Sequence, residues 1–173
     1  ISTDQGICSY NYETEDFSRY QIKGNTKDDV CFLNTSNGVL LAACSNGLYR
    51  YNEQDSLFIP FLLDEEKPHV RYLAEDGDKT LWIDTNKGLM RYSLEKKQFV
   101  SLPTLIQPFT QQCNNAVLIS SNQLLFNTNN DFFVYHIQSN TLCNLSKDLE
   151  VKDFRCAATD HTGNIWVGTE YGI

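Results

Sequence analysis

The chain has 173 residues, of which 41% are apolar and 12% aromatic, so it can bury a sizeable core; this composition excludes a disordered tail or a disulfide-stapled miniprotein. Its net charge of −8 opposes binding to a phosphate backbone, and no nucleic-acid partner is predicted. The longest apolar run, residues 39–44, is far shorter than the roughly 20 residues of a membrane span.

A short segment recurs along the chain and divides it into repeats of about 41 residues. Its most complete copy runs from Thr85 to Tyr92, and a glycine or its substitute marks every copy. In chain order the marker positions are Gly6, Gly47, Gly88, Asp131 and Gly172. Three of the intervals are 41 residues and one is 43, and the flanking residues match as well. The sequence is therefore a tandem array.

Each repeat predicts four short strands in a fixed order. The first strand is represented by residues 69–74, the second by 80–83, the third follows the marker glycine, and the fourth is represented by 98–102. Asn, Asp and Gly residues between the first two strands suit tight hairpins. No sustained helical period appears. The predicted fold class is all-β: a β-propeller or part of one, with about four blades of four antiparallel strands.

The predicted organisation is one partial propeller domain over residues 1–173. The repeats occupy approximately residues 28–66, 67–107 and 108–150, with 151–173 and 1–27 as the two parts of a split blade. The third repeat is the most divergent, because Asp131 replaces the marker glycine and Leu125 replaces a tryptophan. The two ends fall at matching phases of the repeat, which favours a portion of a larger ring.

Two segments carry a family resemblance. Residues 160–173 have the pattern D-x-x-G-N-I-W-V-G-T-E-x-G-I, and residues 81–92 have L-W-I-x-T-x-x-G-L-x-R-Y. Both resemble the two-component regulator propeller repeat of the sensor regions of bacterial hybrid two-component histidine kinases. The resemblance spans the whole chain, and it is strongest in the second and fourth repeats.

The resemblance implies an extracytoplasmic, non-enzymatic sensor: the periplasmic region of an inner-membrane protein that recognises a glycan-derived ligand. The implied partners are a small-molecule or oligosaccharide ligand, the rest of the same propeller and kinase chain, and a second copy of the chain. No kinase motif, catalytic motif, metal-ligand spacing or cofactor-binding motif is found, so no catalytic residue, metal or cofactor is predicted.

The best candidate site residues are Arg71 and Arg155, which share one position on the first strand, the strand that lines a propeller's channel. Planar guanidinium groups suit bidentate recognition of carboxylates or sugar hydroxyls. His69 and Tyr72 flank Arg71 and complete the predicted ligand site.

The alternative for the two arginines is structural, because each could pair with a nearby loop carboxylate such as Asp76 or Asp160. Trp82 and Trp166 occupy equivalent positions on second strands, and they are predicted to lie in the core between blades rather than to stack on sugars.

Smaller side chains receive structural predictions. Thr85, Thr128 and Thr169 are predicted to support the turn before the third strand, with Cys44 in their place in the first full repeat. The six cysteines are predicted to be small buried hydrophobes, although a disulfide bond stays open.

Two other functions remain open. A propeller-fold polysaccharide lyase or glycoside hydrolase would need two carboxylates about 5–10 Å apart in one cleft. Asp76 and Asp160 lie in equivalent hairpins of different blades, which disfavours that pairing. The other alternative is a structural propeller that mediates protein interaction or dimerisation.

Overall fold

Strands account for nearly all regular structure in the described part of the chain. The computed structural model describes residues 2–3, 6–22, 30–61, 68–129, 131–146 and 154–169. Across these ranges one short 3₁₀ helix, η1 (Gln107–Gln112), accompanies seventeen strands. In chain order the strands are β1 (Ser2–Thr3), β2 (Gly6–Asn11), β3 (Asp16–Ile22), β4 (Cys31–Asn34), β5 (Leu40–Cys44), β6 (Gly47–Asn52), β7 (Leu57–Pro60), β8 (Val70–Glu75), β9 (Thr80–Thr85), β10 (Gly88–Ser93), β11 (Gln98–Val100), β12 (Asn115–Ser120), β13 (Gln123–Asn127), β14 (Phe132–His136), β15 (Thr141–Asn144), β16 (Phe154–Thr159) and β17 (Ile165–Thr169). The all-β prediction is confirmed.

The strands form meanders in which each strand pairs with its chain neighbour. Blade 1 comprises β4–β7, blade 2 comprises β8–β11 and blade 3 comprises β12–β15. Strands β16 and β17 form a two-stranded sheet, here called the outer hairpin. The repeating four-stranded blade expected from the sequence is therefore present three times in the described ranges.

The chain divides into two compact units, residues 1–73 and 74–173, with the division inside β8. In the first unit β3 pairs in parallel with β7 at two positions, Gln21 with Leu57 and Ile22 with Phe58, so β1–β3 extend the sheet of blade 1. The buried core of this unit comprises Ile7, Ile22, Ala42, Cys44, Tyr49 and Phe58.

Among the described residues of the second unit, a hydrophobic cluster lies on each side of blade 3. Alternation along β13 sends Phe126 to one cluster and Leu125 to the other. The cluster between blades 2 and 3 comprises Trp82, Leu89, Ile106, Cys113, Ala116, Leu124, Phe126, Phe133 and Tyr135. The other cluster comprises Ile119, Leu125, Phe132 and Val134, and Ala157 and Val167 of the outer hairpin pack against it. Blade 3 is thus covered on both faces.

One backbone conformation recurs at equivalent turns although the residue types there differ. The turn before each fourth strand contains one residue with positive φ, and those residues are Glu15 (58°), Ser56 (50°), Lys97 (52°) and Asn140 (49°). They stand 41, 41 and 43 residues apart, as the marker positions do. Left-handed backbone is unfavourable for L-residues, so the hairpin geometry imposes it on four unrelated side chains.

Helix η1 was not predicted, because six residues are too few to show a helical period. Pro108 lies in its first turn, where proline needs no backbone donor. The helix packs on the start of β10: a Cβ on Gly88 would lie 2.8 Å from the carbonyl oxygen of Thr110, and Gly88 has a φ of +117°. Glycine is therefore required there on two counts. No helix among the described ranges is long and apolar enough to span a membrane.

The predicted turn-supporting hydroxyls are found in blades 2 and 3. Thr85 Oγ1 donates to the carbonyl of Gly88 (2.7 Å) and accepts from the amide of Lys87 (3.1 Å). Thr128 Oγ1 accepts from the amide of Asp131 at 3.1 Å, so the divergent third repeat keeps this turn. The turn that follows Thr169 lies outside the described residues.

Candidate functional site

A hydrogen-bond network around Asp76 closes the first hairpin of blade 2. Its Oδ1 accepts from the amides of Asp78 (3.0 Å) and Thr80 (2.9 Å), and its Oδ2 accepts from the indole Nε1 of Trp82 (2.8 Å). Hydrogen bonds to an ionised acceptor are stronger than neutral ones. One buried carboxylate thus fixes both the turn and the tryptophan ring.

The outer hairpin repeats this network around Asp160. Its Oδ1 accepts from the amides of Thr162 (2.9 Å) and Asn164 (3.0 Å), and its Oδ2 accepts from Nε1 of Trp166 (3.0 Å). Side-chain hydrogen bonds from Thr162, Trp166 and Asn164 hold the pKa of the Asp160 carboxyl well below its usual range.

We call these two networks the Asp–Trp clamps of blade 2 and of the outer hairpin. Neither clamp was predicted from the sequence. The available signal was the constant spacing, since Asp76 precedes Trp82 and Asp160 precedes Trp166 by the same six residues.

The two tryptophans differ in their surroundings. Trp82 is 1% exposed. The guanidinium carbon of Arg91 lies 4.6 Å from its ring centroid, and the ring of Tyr135 lies 6.3 Å away. Trp166 is 55% exposed. The core prediction is therefore confirmed for Trp82 and wrong for Trp166, because blade 3 covers the first ring while the described residues leave more than half of the second uncovered.

Hydrogen bonds from polar groups connect blade 3 to its two neighbours, blade 2 and the outer hairpin. The buried Asp84 accepts from the amide of Ala116 at 3.3 Å, which links blade 2 to the first strand of blade 3. The amide of Gly77 donates to the carbonyl of Ser121 at 2.9 Å. Thr159 Oγ1 donates to the carbonyl of Ile119 at 3.0 Å, which links the outer hairpin to blade 3. The role of Asp84 was not predicted from the sequence.

Three of the predicted ligand-site residues lie on two different strands, and His69 lies directly before one of them. His69 is exposed and precedes β8, which contains the partly buried Arg71 and Tyr72. Adjacent strand residues point to opposite faces, so Arg71 and Tyr72 leave β8 on opposite sides. Arg155 lies in β16, and its side chain is outside the described part of the chain. The ligand site stays a prediction.

Asn114 of blade 3 and Arg155 of the outer hairpin occupy the same position of the repeat. The strand register shows this, because the residues that follow them pair equivalently: Asn115 with Asn127, and Cys156 with Gly168. Asn114 Nδ2 donates to Oδ1 of Asn129 at 2.8 Å. The first-strand position proposed for ligand recognition therefore carries a polar side chain in blade 3 as well.

The two hairpin carboxylates are bound within their own turns. Asp76 and Asp160 accept hydrogen bonds from backbone amides and from the indole of their own hairpins. This arrangement gives both a structural role. It does not present them as an acid–base pair in one cleft.

No disulfide bond joins any two of the six cysteines, all of which lie within the described ranges. Cys44 and Cys113 are buried, as predicted, whereas Cys143 and Cys156 are exposed. The prediction of small buried hydrophobes is wrong for the last two, because Cys143 lies on the outermost strand of blade 3 and Cys156 on the outer hairpin.

The chain is similar in structure to known proteins, although its sequence matches none of the families compared. No family model and no curated protein matches the sequence. Among solved structures, the chain matches the extracellular domains of the proteins named as hybrid two component systems BT4673 and BT3049 from B. thetaiotaomicron. The TM-scores are 0.66 and 0.62, each at 20% identity over 82% of this chain. The chain has a β-propeller fold.

The matched extracellular domains are much longer than this chain, which spans about a fifth of their length. Virginiamycin B lyase from Staphylococcus aureus also matches, with a TM-score of 0.67 and 14% identity over 98% of this chain and 61% of the lyase. Both groups share the blade architecture described above. The similarity to extracellular domains of hybrid two component systems agrees with the resemblance found in the sequence.

Proposed function

We propose that this chain is a ligand-sensing propeller segment in the extracytoplasmic region of a hybrid two-component sensor, located in the periplasm and without catalytic activity of its own. The observation that carries the proposal is the structural similarity to extracellular domains of proteins named as hybrid two component systems. The repeat pattern around Trp82 and Trp166 supports it independently.

The proposed ligand is a glycan-derived molecule, and an acidic oligosaccharide fits the candidate residues best. Arg71 and Arg155 would each offer a planar guanidinium to a carboxylate or to paired hydroxyls. His69, two residues before Arg71 and exposed, supplies a further donor, and Tyr72 supplies a ring and a hydroxyl. In this proposal the segment binds the ligand, and the rest of the propeller and a kinase chain transmit the signal.

Calorimetry against a panel of acidic and neutral oligosaccharides tests the proposal. We expect binding by the native chain, and a loss of at least about tenfold in affinity when Arg71 and Arg155 are both changed to Ala, which corresponds to about 1.4 kcal/mol. Arg19→Ala, at an exposed arginine on β3, is the matched control and should bind normally. The melting temperature should stay nearly constant in all variants. Intact binding by the double variant would refute the site, and no binding to any member of the panel would refute the glycan ligand.

A second candidate is an enzyme, favoured by the match to virginiamycin B lyase over 98% of this chain. Mass spectrometry of the same mixtures separates the two candidates. Unchanged oligosaccharides support a sensor, whereas product formation supports a lyase or hydrolase. An interaction propeller would bind none of the panel, and it would form dimers at micromolar concentration in sedimentation experiments.

A further inference from the structure

We propose that β15, the outermost strand of blade 3, pairs antiparallel with β15 of a second copy of this chain, with Cys143 at the centre of the pairing. The pairing joins two blades edge to edge into one continuous sheet. The proposal concerns an interaction surface, and it does not depend on the proposed ligand site.

The first argument is that β15 is an open sheet edge. Among the described strands it pairs with β14 alone, and three of its four residues are exposed. Both faces of blade 3 are already covered, one by the cluster shared with blade 2 and the other by the outer hairpin. The edge lies at right angles to these faces, so the packing of neighbouring blades leaves it open.

The second argument concerns the backbone groups that face outward from this edge. The amide of Leu145 donates to a β14 carbonyl at 2.8 Å, and hydrogen-bonded and non-hydrogen-bonded pairs alternate from there along the ladder. Cys143 is therefore hydrogen-bonded to β14, whereas Leu142 and Asn144 turn their N–H and C=O groups away from it. Within the described ranges these outward groups have no hydrogen-bond partner. They can accept a further strand.

The third argument is that β15 lacks the features that protect sheet edges from pairing. Charged residues, proline and very short strands are the usual protection. In blade 2, β11 is three residues long and follows Lys96 and Lys97, and in blade 1 the edge of β7 is already paired with β3. Residues 137–146, by contrast, contain no charged residue and no proline. Of the three described blades, blade 3 has the edge that is both open and unprotected.

The charge of the chain identifies the occupant as a second copy. Two copies with a net charge of −8 each repel one another, and an uncharged edge is where they can approach. An uncharged strand also pairs with itself without placing like charges opposite one another. Pairing Leu142 with the partner's Asn144 uses the outward groups of both strands, and it places Cys143 opposite the partner's Cys143. Both copies use the same edge, so the assembly closes at two.

Sedimentation equilibrium of the full chain tests the proposal. We expect a weak dimer, with a dissociation constant on the order of 100 µM, because a strand edge this short buries less than the roughly 1,200 Å² of a standard interface. Cys143→Lys places like charges opposite one another and should weaken the dimer by at least about tenfold. Gln98→Lys, at an exposed position on the outermost strand of blade 2, is the matched control and should dimerise normally.

Thiol oxidation with diamide tests the register. A non-hydrogen-bonded pair brings its two Cα atoms to about 4.5 Å, which a disulfide bond can span. Cys156→Ser keeps Cys143 and should form a disulfide-linked dimer at least about tenfold faster than Cys143→Ser, which keeps the exposed Cys156. Cys143→Ser should still form the non-covalent dimer. Amide exchange followed by NMR should slow at Leu142 and Asn144 in concentrated protein relative to dilute protein.

Several results would each overturn the proposal: a chain that stays monomeric at millimolar concentration, a dimer that Cys143→Lys leaves unchanged, or equal oxidation rates in the two serine variants. Slowed exchange at β15 together with β3 would show that the second copy contributes β3, the strand that β7 already pairs with. That result would also overturn the pairing of β15 with itself. None of these outcomes alters the oligosaccharide calorimetry, so the ligand proposal stands or fails separately.

Discussion

The two Asp–Trp clamps have the same residues, the same spacing and nearly the same hydrogen-bond lengths, yet one lies in the core and the other at the surface. The indole Nε1 of Trp82 is 2.8 Å from Asp76, and that of Trp166 is 3.0 Å from Asp160. Blade 3 covers Trp82 but not Trp166. The sequence of each repeat thus determines the hydrogen bonds of its hairpin. Packing against a neighbouring blade determines how much that hairpin contributes to stability.

Replacing each tryptophan by alanine should show the largest difference between the clamps. Trp82→Ala removes a buried ring from the cluster between blades 2 and 3, and we expect a loss of about 3–5 kcal/mol in the free energy of unfolding. Trp166→Ala removes a largely exposed ring and should cost less than about 1 kcal/mol. Urea unfolding followed by circular dichroism measures both. Equal losses would show that the described packing does not govern the stability of the two hairpins.

A smaller effect is expected from the left-handed residue in each clamp hairpin. Lys79 has a φ of 56° and Gly163 has a φ of 86° at the equivalent position. Lys79→Gly should stabilise the chain by about 0.5–1 kcal/mol, because it removes the strain of a side chain at positive φ. Gly163→Lys should destabilise it by a similar amount, since a Cβ there would meet no atom within 4 Å and only the backbone conformation opposes it.

Lys96→Gly is the control for this pair, because Lys96 is exposed in a turn but does not have a positive φ. It should lower the melting temperature, as glycine does at ordinary backbone angles. A rise in melting temperature in both Lys79→Gly and Lys96→Gly would point to loss of positive charge rather than relief of backbone strain.

The smallest effect concerns acid. Because its hydrogen bonds depress the pKa of Asp160, the clamp of the outer hairpin adds stability that is complete above the ordinary Asp pKa of roughly 3.9 and is lost as the pH falls toward the folded-state value. Carboxyl carbon NMR should show Asp160 still ionised near pH 3, where an ordinary aspartate is mostly protonated. Asp160→Asn should flatten the acid limb of the stability curve, and a titration of Asp160 at the ordinary value would contradict the clamp.

The all-β class, the four-stranded blades, the turn hydroxyls of Thr85 and Thr128 and the burial of Trp82 all follow from patterns within one repeat, so the sequence was enough to predict them. The exposure of Trp166 depends on a neighbouring blade, and nothing in its own repeat specifies that neighbour. Helix η1 is too short to leave a periodic trace. Asp84 acts through the amide of Ala116, which is far away in sequence, so its role needed the structure.

The ligand site is the least predictable part. Arg71 and Arg155 share a repeat position, which residue spacing can reveal. Whether they converge depends on how distant strands are arranged, and spacing cannot show this. Side chains alternate between the two faces of β8, so Arg71 and Tyr72 point to opposite sides of the sheet. Their closeness in sequence alone does not show this separation.

The four residues with positive φ before the fourth strands have a consequence for how such proteins are recognised. Glu15, Ser56, Lys97 and Asn140 share a backbone shape but no chemistry, so substitution at these turns erases the sequence signal and leaves the geometry intact. The path of the main chain at these turns is therefore the same in the four repeats although the residue types differ. The whole chain shows the same relation between fold and sequence, since it matches solved structures at 14–20% identity while no family model matches it.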